Sequence, residues 1–437
     1  TKYNSNDCII EWSFYDIYDY PCVETEYGAH MIKFTFDEHN YTVESSIYDV
    51  SNSEIISPTY GFHRRVYEYD DYHQIILVKF FDTNGNPCIN TQLLCSSGHF
   101  SYDTRGNLTK IENFDIRDEQ CVGKDGYASI VYKYDSFGNL ASETYYGIDD
   151  KPIYINMCSS IQYDYYPNGK VKECRYYDEN QNLTLNNNWY SISRFEYDNN
   201  GNQLEVSFYD VNTNPCYYKD GLYHRFVSEY DIHGNVIQET FWDINNHLTI
   251  NEKGMYAIAR YEYDNYRHIV NYAYYDIHNR PCFIKEGYHI MQVRYDERGN
   301  ICHQSFYNNN NNVPCVNKDG AGIIMMSYDM KNNITQIDYM NTHGENINLD
   351  ILDYSTEKRI YDEKNRLIYI SFLNKDGYLC WKHTKTFEYC IIKQTYDDNN
   401  NIIKYEYFDL DEKSTNRSGV AITEMIYDNY NRIIERK

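Results

Sequence analysis

Residues 197–210 read YDNNGNQLEVSFYD, and residues 230–243 read YDIHGNVIQETFWD. Each stretch opens with Tyr-Asp, has Gly-Asn from the fifth residue, and ends with two adjacent aromatic residues followed by Asp. Glycine adopts positive φ without strain, and an Asp side chain can accept hydrogen bonds from nearby backbone N–H groups. The pattern D-x-x-G-N is therefore typical of a β-hairpin turn, and each stretch predicts two strands joined by that turn.

The pattern recurs along the chain with spacings of 31 to 35 residues, mostly 32 or 33, between the leading aromatic residues. These first anchors are Phe36, Tyr69, Tyr102, Tyr134, Tyr165, Tyr197, Tyr230, Tyr263, Tyr295, Tyr328, Tyr361, Tyr396 and Tyr427. Second anchors lie twelve residues after them: Tyr48, Phe81, Phe114, Tyr146, Tyr177, Tyr209, Trp242, Tyr275, Tyr307, Met340, Leu373 and Phe408. Because the twelve-residue interval never varies, we interpret the segment between the anchors as one rigid local unit.

The fifth residue of each unit is almost always one that tolerates positive φ. It is Gly at six positions, namely Gly106, Gly138, Gly169, Gly201, Gly234 and Gly299. It is Asn at five others, namely Asn40, Asn332, Asn365, Asn400 and Asn431. His73 and Arg267 break this rule, so we expect those two turns to be strained or differently shaped.

The strand before each turn alternates between two kinds of side chain, as in Ala257, Ala259, Tyr261 and Tyr263. Such alternation predicts one buried face, and the paired aromatics at the end of the second strand must point to opposite faces. A third, shorter segment, such as 214–218, is expected to form a short strand and a turn. The predicted fold is all-β: a tandem array of about thirteen 33-residue β-hairpin repeats forming a solenoid or spiral sheet.

We expect residues 1–437 to form one continuous array that starts and ends within a repeat, as a fragment of a longer chain would. Residues 1–26 are expected to hold only the second half of a repeat. Neither end has the polar capping repeat that such arrays normally need, so a neighbouring domain or chain is expected to cover the open edges.

The net charge of −25 and the pI near 4.9 disfavour nucleic acid and anionic membranes as partners, because both attract basic surfaces. No run of eighteen apolar residues and no leader peptide is visible, although a removed leader remains an alternative.

The passages at 197–210 and 230–243 resemble the hairpins of RHS or YD-repeat proteins, whose strands wind into long β-sheet spirals. The resemblance covers nearly the whole chain as a pattern. This chain differs in its 33-residue period, since the usual unit is near twenty residues. It also has an added connector, which is the third segment of each repeat and often contains Pro-Cys, as at 215–216. The family resemblance implies an alternative function, as part of a secreted or surface shell that encloses a toxin or binds carbohydrate.

Thirteen cysteines, a column of Asp residues and four histidines are the candidates for chemistry. Cys22, Cys88, Cys121, Cys216, Cys282 and Cys380 lie seven residues after second anchors, where other repeats have Ile or Thr. We interpret that column as packing, with a disulfide or metal ladder as the alternative. We assign the Asp column to turn capping rather than calcium, and His30, His63, His224 and His289 to local filling rather than catalysis. No metal, cofactor or enzyme activity is predicted.

Eight residues after the second anchors lies a further apolar column: Val23, Ile56, Ile89, Val122, Tyr154, Leu185, Tyr217, Ile250, Phe283 and Trp381. If it is exposed, Tyr154, Tyr217, Phe283 and Trp381 are candidate contacts for a protein partner, and otherwise they pack between connectors. The leading hypothesis is a non-catalytic protein-binding or scaffolding array, such as the sensor or substrate region of a larger protein. The expected compartment is the cytoplasm, with a secreted or cell-surface location as the alternative.

Overall fold

A computed structural model describes residues 1–15, 21–23, 27–308, 313–349, 352–383, 388–397, 400–414, 421–427 and 433–436. The chain divides into two compact units, which are described separately. Unit 1 consists mainly of Thr1–Ser193, and unit 2 consists mainly of Arg194–Tyr209 and Pro215–Tyr427.

The described residues form thirty β-strands and no helix. In chain order the strands are β1 (Lys2–Tyr3), β2 (Ile9–Ser13), β3 (Met31–Phe36), β4 (Thr42–Tyr48), β5 (Arg64–Tyr69), β6 (Ile75–Phe81), β7 (Ser97–Tyr102), β8 (Leu108–Phe114), β9 (Ser129–Tyr134), β10 (Leu140–Tyr146), β11 (Ser160–Tyr165), β12 (Val171–Tyr177), β13 (Ile192–Tyr197), β14 (Gln203–Tyr209), β15 (Arg225–Tyr230), β16 (Val236–Trp242), β17 (Ile258–Tyr263), β18 (Ile269–Tyr275), β19 (Ile290–Tyr295), β20 (Ile301–Tyr307), β21 (Ile323–Tyr328), β22 (Ile334–Met340), β23 (Thr356–Tyr361), β24 (Leu367–Leu373), β25 (Lys382–His383), β26 (Glu388–Tyr389), β27 (Ile391–Tyr396), β28 (Ile402–Phe408), β29 (Ile422–Tyr427) and β30 (Ile433–Arg436).

Antiparallel pairing joins neighbouring strands within each unit. In unit 1 consecutive strands from β1 to β12 pair in this way. In unit 2 the strands from β14 to β24 do so, and β24 continues to β27 and on to β30. The predicted fold class, an all-β array of hairpin repeats of the solenoid or spiral-sheet type, is confirmed.

The pairing within a hairpin is longer than the pairing between hairpins. Strands β17 and β18 pair from Ile258↔Tyr275 to Tyr263↔Ile269, with a bulge next to the turn. Strands β16 and β17, which belong to successive hairpins, pair only from Gln238↔Arg260 to Thr240↔Ile258. Side-chain contacts between repeats must therefore supplement a short backbone ladder.

The Asp that follows most first anchors caps the turn, as the sequence predicts, whereas Tyr166 follows the anchor Tyr165. In the turn after β15, one carboxylate oxygen of Asp231 accepts the N–H groups of His233 at 2.8 Å and Asn235 at 2.9 Å. The second oxygen accepts the Asn235 side-chain amide at 2.8 Å. These hydrogen bonds, led by those from Asn235, hold the pKa of Asp231 below its ordinary value.

The two turns that lack Gly or Asn keep the common shape. His73 and Arg267 have φ values of 62° and 69°, and their N–H groups donate to the carbonyls of Asp70 at 3.0 Å and Asp264 at 3.1 Å. The expectation of strain applies, because His73 and Arg267 both carry a Cβ and are held at positive φ. The expectation of a different shape is wrong.

The hydroxyl groups of the first anchors connect successive repeats. Each donates a hydrogen bond of 2.7–3.2 Å to the backbone carbonyl of the residue six places after the preceding first anchor. The donors are Tyr69, Tyr102, Tyr134, Tyr165, Tyr230, Tyr263, Tyr295, Tyr328, Tyr361, Tyr396 and Tyr427. This bond explains why the position is Tyr rather than Phe in all but one of the anchors predicted from the sequence.

One face of the hairpins is packed with a series of aromatic rings in tilted and edge-on contact. The series alternates between the residue seven places before a first anchor and the residue before a second anchor. In unit 2 successive ring centroids are 4.9–6.3 Å apart through Tyr223, Phe241, Tyr256, Tyr274, Tyr288 and Phe306. Burial raises the pKa of Tyr256 and Tyr288 to about 12, so these phenols stay neutral and pack as apolar rings.

The other face is covered by cations that lie over the second anchors. The cation centres lie 4.1–4.6 Å from the ring centroids in six pairs: Lys33–Tyr48, Arg64–Phe81, Arg194–Tyr209, Arg225–Trp242, Arg260–Tyr275 and Lys393–Phe408. The prediction that paired aromatics point to two partly covered faces is therefore confirmed. Each cation comes from the first strand of the same hairpin and contributes a cation–π interaction.

A hairpin at the start of the described chain was missed by the sequence analysis. Tyr3 and Asn4 take the places of the anchor and its Asp, since the Asn4 side chain accepts the N–H groups of Asn6 and Cys8 at 2.9 Å. The expectation that residues 1–26 hold only half a repeat is wrong. The spacing contained the signal, because Tyr3 lies twelve residues before Tyr15 and 33 before Phe36.

The third segment of the described repeats is held by isolated bridges, one in most repeats and two in a few, and is not the strand that we expected. Pro215 bridges Tyr209, and Tyr218 bridges Tyr223, with only two residues between the two bridged positions of this segment. The segment is too short for a ladder, and proline lacks the N–H group that one would need. Among the described residues, one third segment differs, because it contains the short paired strands β25 and β26.

Candidate binding surface

The apolar column eight residues after the second anchors is positioned by hydrogen bonds on either side of it. In the repeat of Phe283, the N–H of Cys282 donates to the Tyr274 carbonyl at 3.1 Å. The N–H of Ile284 donates to the Tyr288 carbonyl at 3.0 Å. Alternate residues of an extended segment point to opposite sides, so Phe283 points away from the protein while its neighbours point inward.

This column is exposed in consecutive repeats of both units. Side chains of 37–49% relative exposure occupy it at Ile56, Ile89, Val122, Tyr154 and Leu185 in unit 1, and at Tyr217, Ile250, Phe283 and Val316 in unit 2. Val316 joins the column because the connector before it is one residue longer. We call these nine residues the apolar column. Single exposed apolar residues are common on proteins, but a place that is apolar and exposed in nine successive repeats is not.

Three of the four candidate partner contacts predicted from the sequence belong to this exposed column, and the fourth is not exposed. Tyr154, Tyr217 and Phe283 are exposed, whereas Trp381 is half-buried. Trp381 precedes β25, whose Lys382 ammonium lies 4.5 Å from the Phe372 ring centroid. Burial lowers the pKa of Lys382 below its ordinary value. The connector is therefore folded inward at this repeat.

A second exposed apolar column was missed. It lies two residues after the second anchors, at the tip of the second turn: Val50, Ile116, Ile148, Val211, Ile244, Ile277 and Leu410. The signal was an apolar residue at a fixed place in a turn, where polar residues are usual. In six of these seven repeats it follows an Asp, and Asp210 caps its turn by accepting N–H groups from Asn212 and Asn214 at 2.8 Å.

The cysteines seven residues after the second anchors lie beside the column and pack inward. The N–H of Cys88 donates to the Phe80 carbonyl at 3.0 Å, and its sulfur lies 3.6 Å from the Gly61 carbonyl oxygen. Burial raises the pKa of Cys88, Cys282 and Cys380 to about 11. This environment suits a small apolar side chain, as the exchange with Ile and Thr predicts. All thirteen cysteines are described, and none forms a disulfide.

The histidines six residues before the first anchors are buried fillers of the same region. The Nδ1 atoms of His30, His63 and His224 lie 2.8–3.1 Å from backbone carbonyl oxygens, so Nδ1 must carry the proton and donate it. Their rings and that of His289 lie edge-on to second-anchor tyrosines. In the part of the chain that the structure describes, no three His, Cys, Asp or Glu side chains form a metal-binding group.

No family model matches the chain, and no curated protein matches it. Among solved structures, the crystal structure of TcdB2-TccC3-TEV has a TM-score of 0.42 and 12% identity, covering 92% of this chain and 22% of that one. The crystal structure of TcdB2-TccC3-Cdc42 has a TM-score of 0.39 and 14% identity, covering 93% and 23%. A TccC3 mutant of the Photorhabdus luminescens Tc holotoxin pore has a TM-score of 0.38 and 13% identity, covering 92% and 22%.

This chain thus spans less than a quarter of the length of those solved chains. At such TM-scores the similarity supports no argument about the function of this chain. Within the described ranges no helix is long and apolar enough to cross a bilayer.

Proposed function

We propose that the chain is a non-catalytic binding array that contacts a protein partner along the apolar column. One observation supports this most: nine successive repeats place an exposed apolar side chain at the same position. The binding free energy of such repeated contacts increases with the number of repeats that take part, because each repeat contributes a small contact area in a fixed order along the chain.

The aromatic members of the column are the expected main contributors to affinity. Tyr154, Tyr217 and Phe283 offer large, stiff side chains, and such residues dominate binding energy in protein interfaces. The remaining members are aliphatic and supply apolar area between them. Since the chain has a net charge of −25, the partner is expected to surround its apolar contact with basic residues.

The test compares two triple variants in affinity capture from native extract, each with three exposed aromatic residues changed to Asp. The column variant is Tyr154→Asp, Tyr217→Asp, Phe283→Asp. The control variant is Tyr72→Asp, Phe137→Asp, Tyr266→Asp, which changes the 83–89% exposed tips of first turns. We expect proteins that bind the unchanged chain and the control to be lost from the column variant by at least about tenfold.

Circular dichroism shows whether both variants stay folded. We expect that they do, because the substituted side chains are exposed. Equal retention of the captured proteins by both triple variants would contradict a role for the column. Retention that rises when salt is lowered would agree with a basic partner, because attraction between exposed charges is screened by salt.

We also propose a cytoplasmic location, with the secreted or cell-surface location as the alternative. The proposal is supported by the place seven residues after the second anchors, where some repeats have Cys and others have Ile or Thr, and where Cys88 packs beside the Gly61 carbonyl. A protein that depended on disulfides would not exchange its cysteines in this way.

A further inference from the structure

The hairpin anchored by Tyr102 lacks three large side chains in its core. Gly98 lies four residues before the anchor, where five other repeats have Ile, namely Ile32, Ile130, Ile161, Ile324 and Ile392, and the rest vary and include Ser193 and Ala259. Cys95 occupies the place that Phe62 and Tyr127 fill in the adjoining repeats, and Asn113 occupies the place of Phe80 and Tyr145. One repeat therefore lacks bulk at three inward-facing places at once.

A cavity of about 720 Å³ lies at this point within unit 1. Gly98, Cys95 and Asn113 all line it, so the cavity follows directly from the three small or polar replacements. Its volume falls in the range of pockets that bind small organic molecules. Apolar ring surface that these replacements leave uncovered is available to pack against a ligand.

Aromatic rings form much of the cavity wall. Tyr27, Tyr60, Phe62 and Phe80 form a continuous series with ring centroids 4.9–6.0 Å apart, and Tyr67, Phe100 and Tyr127 also line the space. Such walls favour a flat aromatic guest, which can pack against them edge-on or in offset stacks.

A cation without a carboxylate partner also lines the cavity. Arg65 lies on β5 with its guanidinium carbon 5.0 Å from the Tyr67 ring centroid. Its Nε atom is buried and has no hydrogen-bond acceptor, and among the described residues it forms no ion pair. Its neighbour Arg64 points to the opposite face and forms an ion pair with Glu44 at 2.8 Å. A buried guanidinium donor that lacks an acceptor is costly and favours an anionic guest.

We propose that this cavity is a binding site for a small aromatic carboxylate. The ring lies among Tyr60, Phe62, Phe80 and Phe100, and the carboxylate accepts hydrogen bonds from Arg65. Lys124 also lines the cavity and adds positive charge, while the lining carboxylate of Asp125 interacts with Tyr127. The site is separate from the apolar column and does not depend on the proposed protein binding.

Calorimetric titration of the full chain with 2-naphthoate tests this assignment, with 2-naphthalenemethanol as the neutral analogue. Gly98→Ile introduces the side chain that five sister repeats carry at this place, and a Cβ at Gly98 meets only the Phe100 ring at 3.4 Å, so the variant should fold. Arg65→Gln removes the charge inside the cavity. Arg64→Gln is the matched control, because it removes the adjacent charge on the other face of the same strand.

We expect 2-naphthoate to bind the unchanged chain and Arg64→Gln equally, and the alcohol to bind at least about tenfold more weakly. Gly98→Ile should abolish binding while raising the thermal midpoint, and Arg65→Gln should weaken it about tenfold. Absence of naphthoate binding to the unchanged chain, or undiminished binding to Gly98→Ile, would overturn the site. Equal affinity for the alcohol would overturn the anionic ligand class.

Discussion

The Tyr263 hydroxyl donates a 2.8 Å hydrogen bond to the backbone carbonyl of Val236, the first residue of β16 in the preceding hairpin. First anchors of other repeats make the same bond, at the end of the hairpin where the ladder between repeats has stopped. It therefore joins neighbouring repeats at a place that strand pairing leaves open.

Replacing Tyr263 by Phe should destabilise the array by about 1 kcal/mol, because the Val236 carbonyl loses its donor. The variant is compared with Tyr266→Phe, whose ring is 83% exposed and should have no effect. Urea unfolding gives the midpoints, and hydrogen exchange localises the change to the hairpins on either side of the substitution. Equal midpoints for the two variants would show that the bond contributes nothing.

The Asp caps predict that stability falls in acid. The folded pKa values of Asp103, Asp135, Asp231 and Asp329 are lowered, with the side-chain hydrogen bond from the Asn four residues later as the first cause. A lowered folded pKa contributes stability above the unfolded value, near pH 4, and the contribution is lost as the pH falls through the folded pKa. When the unfolding midpoint is measured at a series of pH values from 7 to 2, it should decrease once the pH is below about 4.

Asp103→Asn provides the control for this acid dependence. Asn341 already caps a second turn by accepting N–H groups from His343 at 2.8 Å and Glu345 at 3.0 Å, so an amide can do the same work. We expect Asp103→Asn, combined with the same change at Asp135 and Asp231, to remain stable at pH 7 and to lose less stability in acid. An unchanged acid transition would show that other groups titrate.

Arg267→Gly should stabilise the array by about 1 kcal/mol, because Gly relieves a side chain that is held at positive φ. The reverse test is Gly138→Ala, where φ is +92° and an added Cβ would meet no atom within 4 Å. That substitution should cost about 1–2 kcal/mol through backbone conformation alone. Thermal midpoints that move the same way in both variants would refute the argument from φ.

Thiol titration should separate native from unfolded protein. Burial raises the pKa of Cys95, Cys158 and Cys174 to about 11, so little thiolate forms at pH 8 and alkylation of the native chain should be slow. In denaturant without reductant, protein from native extract should react at all thirteen cysteines. Fewer reactive thiols in denaturant would indicate disulfides and would favour the secreted location.

The sequence predicted those features that depend on fixed local spacing. The twelve-residue interval identifies the hairpin, and Asp with Gly or Asn identifies its turn, because both act over a few residues. The bond from Tyr263 to Val236 was not predictable, since it depends on the offset between successive hairpins. The cavity at Gly98 was also missed, because a single replacement in a column gains meaning only when its neighbours in space are known.

Because each tyrosine hydroxyl bonds to a main-chain carbonyl, the junction between repeats does not depend on which side chain the preceding hairpin carries there. Thr42, Gln203 and Ile269 all serve as acceptors. Any repeat can then follow any other without a matching pair of residues, so duplication, loss or exchange of whole 33-residue modules leaves the junction chemistry intact. Such a chain can change its length and its surface in evolution independently.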